Sequence, residues 1–384
     1  MNQQNQPAEH EPVRILQADG TFAPNAAAEP FLARLDALSD ADHARFYRDM
    51  VSVRAFDREA TNLQRQGEMA LYPPSHGQEA AQVGSARAAR PQDHIFPSYR
   101  EHVVGMIRGI DPLDIIRLMR GVTHGGWNPN DPKNGNFHLY TLVLGSQTLH
   151  ATGYAMGQVL DGATGTGNPE TDQATMVYFG DGSSSEGDVN EALVFAASYQ
   201  TPQVFFLQNN HWAISVPVSI QSRTPLFRRG EGFGINSIQI DGNDVLASYA
   251  VSADRLDAAR AGGGPRFIEA LTYRVGAHTT SDDPTKYRSE EELASWVARD
   301  PIIRFEKYLR ARGAEESVFT GAEEEARDLA ADIRRRTLEI ADPAVEKIFE
   351  HVYTDPHPQM EEQLAWLTEY EAGMNAAGEA EETR

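Results

Sequence analysis

The clearest pattern in the chain is a pair of short apolar runs, each of which stops abruptly at polar residues that favour turns. The first run covers residues 176–179 and ends before Asp181, and the second covers residues 204–207 and ends before Asn210. Both runs are rich in strand-forming residues and are short enough to be buried strands. Between them, residues 189–199 have the apolar spacing of an amphipathic helix. The pattern therefore predicts a strand–helix–strand unit whose strands run parallel through a right-handed crossover.

The polar residues after the two strands should meet, because the carboxyl ends of parallel strands point to the same edge of a sheet. Asp181 and Asn210 would supply a carboxylate and an amide oxygen there. The glycine- and serine-rich residues 182–187 would supply backbone N–H groups to an anion. Since Mg²⁺ prefers hard oxygens and shares them with phosphates, this combination indicates a Mg²⁺–diphosphate site. Either dipeptide alone, Asp-Gly or Asn-Asn, would indicate only a turn.

Further elements of the same kind follow. A short strand at residues 238–240 leads into a helix at about residues 245–261, and residues 266–275 alternate as another strand of the sheet. His278 follows this last strand, so the same argument places it near the edge that carries the polar groups. A histidine there can donate to a phosphate or handle a proton near pH 7, although a satisfied loop histidine is the alternative.

The remainder of the chain divides by composition. A helix begins at Ser39, a plausible N-cap, and Asp19 with Gly20 suggests a hairpin turn before it. The sequence thus predicts an α/β fold, in which a mostly parallel sheet is flanked by helices, with a helical C-terminal extension. The expected regions are an N-terminal arm at 1–40 that is disordered over about the first dozen residues, an α/β core at 41–300, a helical region at 301–375 and a disordered tail at 376–384.

Composition narrows the class of protein. The net charge of -22 argues against nucleic acid or an anionic membrane surface as a partner. The lack of cysteine excludes disulfides and thiolate metal sites. The N-terminus lacks the pattern of a signal peptide, and no apolar run approaches the ~20 residues of a membrane helix. We therefore expect a cytoplasmic protein.

The residues at the two strand ends resemble a known family. The GDG of residues 180–182, followed after one helix and one strand by Asn209 and Asn210, resembles the signature of thiamine-diphosphate (ThDP) enzymes. The fuller text, GDGSSSEGDVNEA and QNNHWAISVP, resembles the alpha subunit of the decarboxylating component of 2-oxo acid dehydrogenase complexes. The resemblance covers roughly residues 45–370 and implies a ThDP-binding fold with ThDP and Mg²⁺ as cofactors.

The resemblance also implies roles for individual residues. Asp181 and Asn210 would give side-chain oxygens to Mg²⁺, and Trp212 would give its backbone carbonyl. His278 would be a catalytic histidine at the mouth of the site. The residues expected to contact the cofactor are Tyr99, Arg100, Leu142, Leu144, Gly182, Ser183, Gln208 and His278.

Some of these roles leave alternatives open. Leu144 would be an apolar prop beneath the bent cofactor, or else an ordinary core leucine. Gln208 stands where some relatives have a phosphate-binding arginine, so this sequence departs from the pattern there. In branched-chain relatives the loop before the next helix holds a monovalent cation such as K⁺, and Ser146 and Gln147 match that pattern, with Thr141 matching less closely.

Other histidines receive weaker interpretations. His76 is more easily explained by a structural hydrogen bond than by catalysis. The spacing of His124 and His138 fits no metal motif. Thr279 occupies the position of a serine that is phosphorylated in animal relatives, so we infer no such regulation.

The reaction implied by the resemblance is the oxidative decarboxylation of a 2-oxo acid, with transfer of the acyl group to a lipoyl-bearing acyltransferase. In this family a separate beta subunit supplies the carboxylate that activates ThDP, so the chain should work in an α2β2 heterotetramer. The text at residues 232–251 and 352–360 looks more like branched-chain enzymes acting on 2-oxoisovalerate, and pyruvate is the alternative substrate. A non-catalytic scaffold and a transketolase-type half are hypotheses of other classes.

Overall fold

A computed structural model describes residues 10–123 and 126–382, with side chains up to residue 374. The disorder expected for residues 1–9 and 383–384, and the interpretation of His124, lie outside the described residues. None of the described helices combines the length and apolar character that a membrane span requires.

The centre of the fold is a five-stranded sheet in the order β1-β2-β3-β7-β6, and all of its neighbouring strands are parallel. The predicted fold class is thereby confirmed. A separate antiparallel pair, β4 and β5, follows β3. The described strands are β1 (His94–Phe96), β2 (Thr175–Gly180), β3 (Gln203–Asn209), β4 (Trp212–Ala213), β5 (Val216–Pro217), β6 (Asn236–Asp241) and β7 (Arg266–Leu271).

Helices connect and cover the strands. The described α-helices are α1 (Asp40–Arg65), α2 (Glu79–Ala88), α3 (His102–Ile107), α4 (Pro112–Arg120), α5 (Ser146–Leu160), α6 (Gly187–Tyr199), α7 (Val218–Gln221), α8 (Arg228–Gly232), α9 (Val245–Arg260), α10 (Glu290–Val297), α11 (Pro301–Ala311), α12 (Glu316–Leu338) and α13 (Pro358–Glu382). The crossover from β2 through α6 to β3 is the predicted one, and Ser39 caps α1 in a capping box with Asp42.

Alternate residues of the strands face two different layers, as the period of a strand requires. Val177 and Phe179 of β2 join Phe205 and Phe267 in a buried cluster with residues of α5 and α6. On the opposite face, the hydroxyl group of Tyr178 lies 2.8 Å from Ser85 Oγ in α2, which packs with α9. The sheet is therefore buried on both sides, which explains why its central strands β2 and β3 are mostly apolar runs.

Two of the predicted boundaries differ in the structure. β7 ends at Leu271, four residues earlier than expected, although Thr272 N still donates to Asn209 O of β3 at 2.9 Å. The last helix reaches Glu382 and so enters the tail that we expected to be disordered from residue 376. Its Ala- and Glu-rich sequence favours helix once the helix is started. β1, which is three residues long, carries too little periodicity to be predicted.

The N-terminal arm packs on the sheet beside β6. Val13 forms a parallel bridge with Ile240, and the backbone N–H groups of Ile15 and Leu16 donate to the Asp244 carboxylate at 2.7 and 2.6 Å. The predicted turn at Asp19 and Gly20 is present as a single bridge between Leu16 and Phe22.

The chain forms two compact units, one that ends at Leu338 and another that begins at Glu339. The division falls later than the expected boundary at residue 300, because α11 and α12 pack against α1 in the first unit. The second unit contains α13 and a short 3-10 helix, Val345–Ile348.

A buried carboxylate on α1 holds the loop that precedes α2. Asp57 accepts from the Tyr72 hydroxyl at 2.6 Å, and from the backbone and hydroxyl of Ser75 at 2.8 and 2.9 Å. The carbonyl of Pro74 in this loop then accepts from Arg100 Nη1. Burial raises the pKa of Asp57 to about 7, although the hydrogen bonds from Tyr72 and Ser75 oppose this shift.

We expect Asp57→Asn to remove part of the pH dependence of stability. The folded protein keeps the Asp57 proton up to about pH 7, whereas the unfolded chain releases it near the ordinary pKa of 3.8. The free energy of unfolding should therefore fall as the pH rises from about 4 to 7, by on the order of 1–4 kcal/mol. Asparagine can keep the bonds to Ser75 and donate to Tyr72. Urea unfolding at pH 5 and pH 7 checks this, with Asp40→Asn on the same helix as control. Equal pH dependence in the Asp57→Asn and wild-type proteins would contradict it.

Candidate active site

A cavity of about 540 Å³ opens at the carboxyl edge of β2 and β3. The register of these strands sets Gly180 opposite Gln208, so the residues that follow each strand emerge side by side. The cavity brings together every residue predicted to contact ThDP or Mg²⁺, namely Tyr99, Arg100, Leu142, Leu144, Asp181, Gly182, Ser183, Gln208, Asn210, Trp212 and His278.

Three hard oxygen donors lie at this edge. Asp181 is buried and accepts from Gln221 Nε2 at 2.7 Å. Its burial raises the pKa of the carboxyl group, while the bond from Gln221 and the charge of Arg274 lower it. Asn210 Oδ1 accepts from the Trp212 backbone N–H at 3.2 Å. A carboxylate, an amide oxygen and the carbonyl of Trp212 fit Mg²⁺. No cluster of three His, Cys, Asp or Glu side chains suited to a metal occurs in residues 10–123 and 126–382.

The loop after β2 approaches β4 closely. A Cβ atom on Gly182 would lie 2.9 Å from Cβ of Ala213, so a larger residue there would push the two segments apart. Ser183 then begins a 3-10 turn, Ser183–Ser185, which leads directly into α6. The glycine therefore allows the backbone of the loop to line the cavity, as a phosphate cradle requires.

Two buried arginines lie near the cavity, and Arg100 lines it. Arg100 stacks over the ring of Tyr99 at 5.4 Å and donates to the carbonyl of His278 at 3.0 Å. Arg274 donates to the carbonyl of Trp212 at 2.9 Å and to that of Ile214 at 2.7 Å. The guanidinium group of Arg100, which lines the cavity, suits a diphosphate because arginine donates paired hydrogen bonds to phosphate oxygens.

These two arginines lie close to His278 and, together with burial, lower the pKa of its ring. Burial, and then the charges of Arg100 and Arg274, lower the pKa of His278 to about 3, so its ring is neutral at pH 7. Nδ1 lies 3.4 Å from a nitrogen of each guanidinium group. Because guanidinium only donates, Nδ1 must be the acceptor and Nε2 carries the proton. His278 can therefore donate a hydrogen bond from Nε2.

Comparison with known proteins identifies the family. Residues 47–344 match the family described as Dehydrogenase E1 component. The chain belongs to this family. The resemblance that the sequence carries is thereby confirmed.

The relatives of this E1 component are alpha subunits. The chain is 43% identical over 364 residues to 3-methyl-2-oxobutanoate dehydrogenase subunit alpha of Mycobacterium tuberculosis, covering 93% of each chain. It is 38% identical over 334 residues to pyruvate dehydrogenase E1 component subunit alpha of Acholeplasma laidlawii, covering 86% of this chain and 94% of that one. A Staphylococcus epidermidis pyruvate dehydrogenase E1 component subunit alpha is 36% identical over 305 residues, covering 79% of this chain and 78% of its own.

The mouth of the cavity in this E1 component is apolar and open. Leu142 and Val143 are 67% and 70% exposed, and Leu144 is 41% exposed. Leu142 and Leu144 line the cavity. Leu144 is therefore not a core leucine, and of the two alternatives left by the sequence only a residue at the site remains.

Of the residues of the predicted cation loop, Gln147 stands out. Its Nε2 donates to the Tyr178 carbonyl at 3.0 Å, but its buried Oε1 has no hydrogen-bond partner. The hydroxyl group of Ser146 donates to the carbonyl of Val143 at 2.9 Å, and Thr141 N donates to Ser98 O at 2.9 Å. A buried acceptor without a donor fits a cation.

The histidines that were given weaker interpretations lie elsewhere. His138 stacks on Phe96 at 3.7 Å between ring centroids and contacts His94, so it belongs to an aromatic cluster. His76 does not line the cavity, and its carbonyl accepts from Val275 N at 3.0 Å. Neither residue enters the site.

Sequence reasoning missed three polar residues of the site, Arg274, Glu101 and Gln78. Arg274 lies just beyond β7, at the same edge as His278, but the sequence pattern placed it inside the predicted strand at residues 266–275. Glu101 and Gln78 line the cavity and are buried. They follow no strand, so no pattern of the sequence singles them out.

We expect the ring of His278 to stay neutral between pH 5 and pH 8. Replacing Arg274 by methionine removes one of the two charges that lower its pKa, so the pKa of His278 should rise by about one unit or more. Histidine-selective ¹⁵N NMR titration measures this. Arg288→Met is the matched control, because Arg288 bonds the carbonyls of Arg274 and Val275 without contributing to the His278 shift. Titration of wild-type His278 near pH 6.5 would contradict the assignment.

Proposed function

We propose that this chain is the alpha subunit of a ThDP-dependent branched-chain 2-oxo acid dehydrogenase, with 3-methyl-2-oxobutanoate as substrate. The observation that carries the proposal is that one cavity is lined by all the residues that the family resemblance assigns to ThDP and Mg²⁺. The substrate class rests on the 43% identity to a 3-methyl-2-oxobutanoate dehydrogenase alpha subunit over 93% of both chains. Pyruvate is the second candidate, because pyruvate dehydrogenase alpha subunits are also relatives.

The chain would hold the diphosphate half of the cofactor. Asp181, Asn210 and the Trp212 carbonyl would bind Mg²⁺. Arg100, with Tyr99, would neutralise the phosphate charge. ThDP, when bound, supplies a nucleophilic carbon and an electron sink for decarboxylation.

The remaining contacts would complete the cradle. The backbone at Gly182 and Ser183 would donate to phosphate, and Gln208 also lines the cavity. Leu142 and Leu144 would support the apolar part of the cofactor. His278 would donate its Nε2 proton at the mouth, to a phosphate or to the substrate, and the neutral ring keeps it from adding charge there.

The site requires a partner. The exposed leucines and valine at the mouth form an apolar surface of the kind that subunits cover. We therefore propose a beta subunit that closes the cavity in an α2β2 heterotetramer, and a lipoyl-bearing acyltransferase that receives the acyl group.

We expect the chain co-expressed with its beta subunit to decarboxylate 3-methyl-2-oxobutanoate with a higher kcat/KM than pyruvate. Asp181→Asn should lower this activity by at least ~100-fold, because it removes a charged metal ligand. Asp188→Asn on α6 is the matched control. A preference for pyruvate would move the chain to the second candidate. ThDP binding without turnover of either substrate would favour a non-catalytic scaffold, and sugar transfer without CO2 release would favour a transketolase-type half.

We expect K⁺ to stabilise the protein through Gln147. At fixed ionic strength, replacing choline by K⁺ should raise the Tm by a few degrees, equivalent to about 1 kcal/mol. Gln147→Leu should abolish this response. Gln158→Leu on the same helix should retain it, since both amide atoms of Gln158 already have partners. A K⁺ response that survives in Gln147→Leu would place the cation elsewhere.

A further inference from the structure

A row of four buried polar side chains runs from Glu101 to Asn210. Gln208 Nε2 donates to Glu101 Oε1 at 2.6 Å, and Gln208 Oε1 accepts from Gln78 Nε2 at 3.1 Å. Gln78 Oε1 in turn accepts from Asn210 Nδ2 at 2.8 Å. All four side chains are buried, so these groups cannot readily exchange their partners for water.

The row has a direction, which Glu101 sets at one end. When Glu101 is ionised, both of its oxygens can only accept. Oε2 is occupied by the backbone N–H and the hydroxyl group of Ser98, at 2.7 and 2.8 Å. Oε1 therefore needs the amide N–H of Gln208, and the oxygen of Gln208 must point the other way.

Gln82 reinforces this direction from the side. Its Nε2 donates to the Arg100 carbonyl at 3.1 Å, which can only accept, and to Gln208 Oε1 at 3.0 Å. Gln78 must then present its N–H to Gln208 and its oxygen to Asn210. Turning over any single amide of the row would bring two N–H groups or two oxygens face to face.

We propose that Gln208 and Gln78 are positioning residues, which hold Asn210 with Oδ1 toward the metal and Nδ2 away from it. The inference rests on the proposed function, since Asn210 is a metal ligand only there. The bond from Trp212 N to Asn210 Oδ1 supports the same orientation and leaves the oxygen a second lone pair. With the amide reversed, an N–H group that cannot bind Mg²⁺ would face the metal.

This role accounts for glutamine at a position where some relatives have arginine. The carboxamide of Gln208 bonds three buried neighbours, Glu101, Gln78 and Gln82. An arginine would only donate, and would leave the N–H groups of Gln78 and Gln82 without an acceptor. We therefore assign the main task of Gln208 to the row and not to the diphosphate.

The first test is Gln208→Met, which keeps the size of the side chain but removes both polar atoms. Gln78 then loses the acceptor that sets its direction. We expect the affinity for Mn²⁺, used as the metal probe at saturating ThDP in the full-length chain with its beta subunit, to fall 10–100-fold. Electron paramagnetic resonance of free Mn²⁺ gives this affinity without any measurement of turnover. Gln208→Leu is the second variant if Gln208→Met does not fold.

The decisive comparison repeats the substitution in a Gln78→Glu background. A carboxylate at position 78 can only accept, so it orients Asn210 without direction from position 208. We expect Gln208→Met to change the Mn²⁺ affinity little in this background. Recovered binding also shows that the double variant folds. An equal loss in both backgrounds would overturn the proposal and indicate a direct contact between Gln208 and the diphosphate.

Gln158→Leu is the matched control, because it removes a buried amide that bonds neither Gln208 nor Asn210. Its Mn²⁺ affinity should stay close to that of the wild type. Unchanged affinity in Gln208→Met itself would overturn the positioning role while leaving the proposed function intact. A wild-type protein that binds neither ThDP nor Mn²⁺ would instead overturn the proposed function, and this inference with it.

Discussion

The parallel register of β2, β3 and β7 is the constraint on which the rest of the site depends. Gly180 lies opposite Gln208, and Asn209 lies opposite Leu271, so three chain segments leave the sheet at one edge. Backbone hydrogen bonds along the strands hold this register over their whole length. The carboxylate of Asp181 and the amide of Asn210 are therefore brought together by the sheet itself, and not by loops that would have to be ordered separately.

The strands at this edge are apolar, whereas the segments that follow them carry buried polar groups. The free-energy cost of burying those groups is therefore the second constraint on the site. Several buried polar groups at this site are paired with partners of opposite hydrogen-bonding character, although Gln147 Oε1 and Arg274 Nε have no partner. The guanidinium group of Arg274 donates to the carbonyls of Trp212 and Ile214, and the carboxylate of Glu101 accepts from Ser98 and Gln208. Leaving one such group unpaired would cost about 1–3 kcal/mol, so each pair strongly restricts the conformation of its neighbour. Burial thus makes the site rigid before any ligand binds.

The sequence predicted those parts of the site that follow from period and strand ends. The β2–α6–β3 unit, Asp181, Asn210 and His278 all come from this reasoning, since a strand end fixes where the next residue lies. The contacts of Gln78 could not be predicted in this way. Gln78 bonds Gln208, which lies 130 residues further along the chain, and nothing in the local pattern of either residue records the pairing. Arg274 could not be predicted either, because the sequence pattern placed it inside a strand that in the structure ends at Leu271.

The residues that individual motifs suggested also differ in how much the structure adds. Tyr99 and Arg100 carry no pattern of their own, and only the family resemblance singled them out. In the structure, the guanidinium group of Arg100 stacks on the ring of Tyr99 and donates to the carbonyl of His278. One arginine thereby links the loop before α3 to the segment after β7, which no sequence pattern could indicate.

The distribution of charge and apolar surface around the cavity indicates a division of labour in the proposed heterotetramer. The lining of the cavity includes the side-chain oxygens of Asp181 and Asn210, which suit a metal, and the guanidinium group of Arg100, which suits a diphosphate. The mouth carries Leu142, Val143 and Leu144, which gain nothing from contact with water. In the proposed function, this chain would bind the diphosphate end of ThDP and leave its reacting end exposed to solvent. Chemistry that requires exclusion of water there depends on a second surface, so catalysis and assembly are coupled by the same exposed residues.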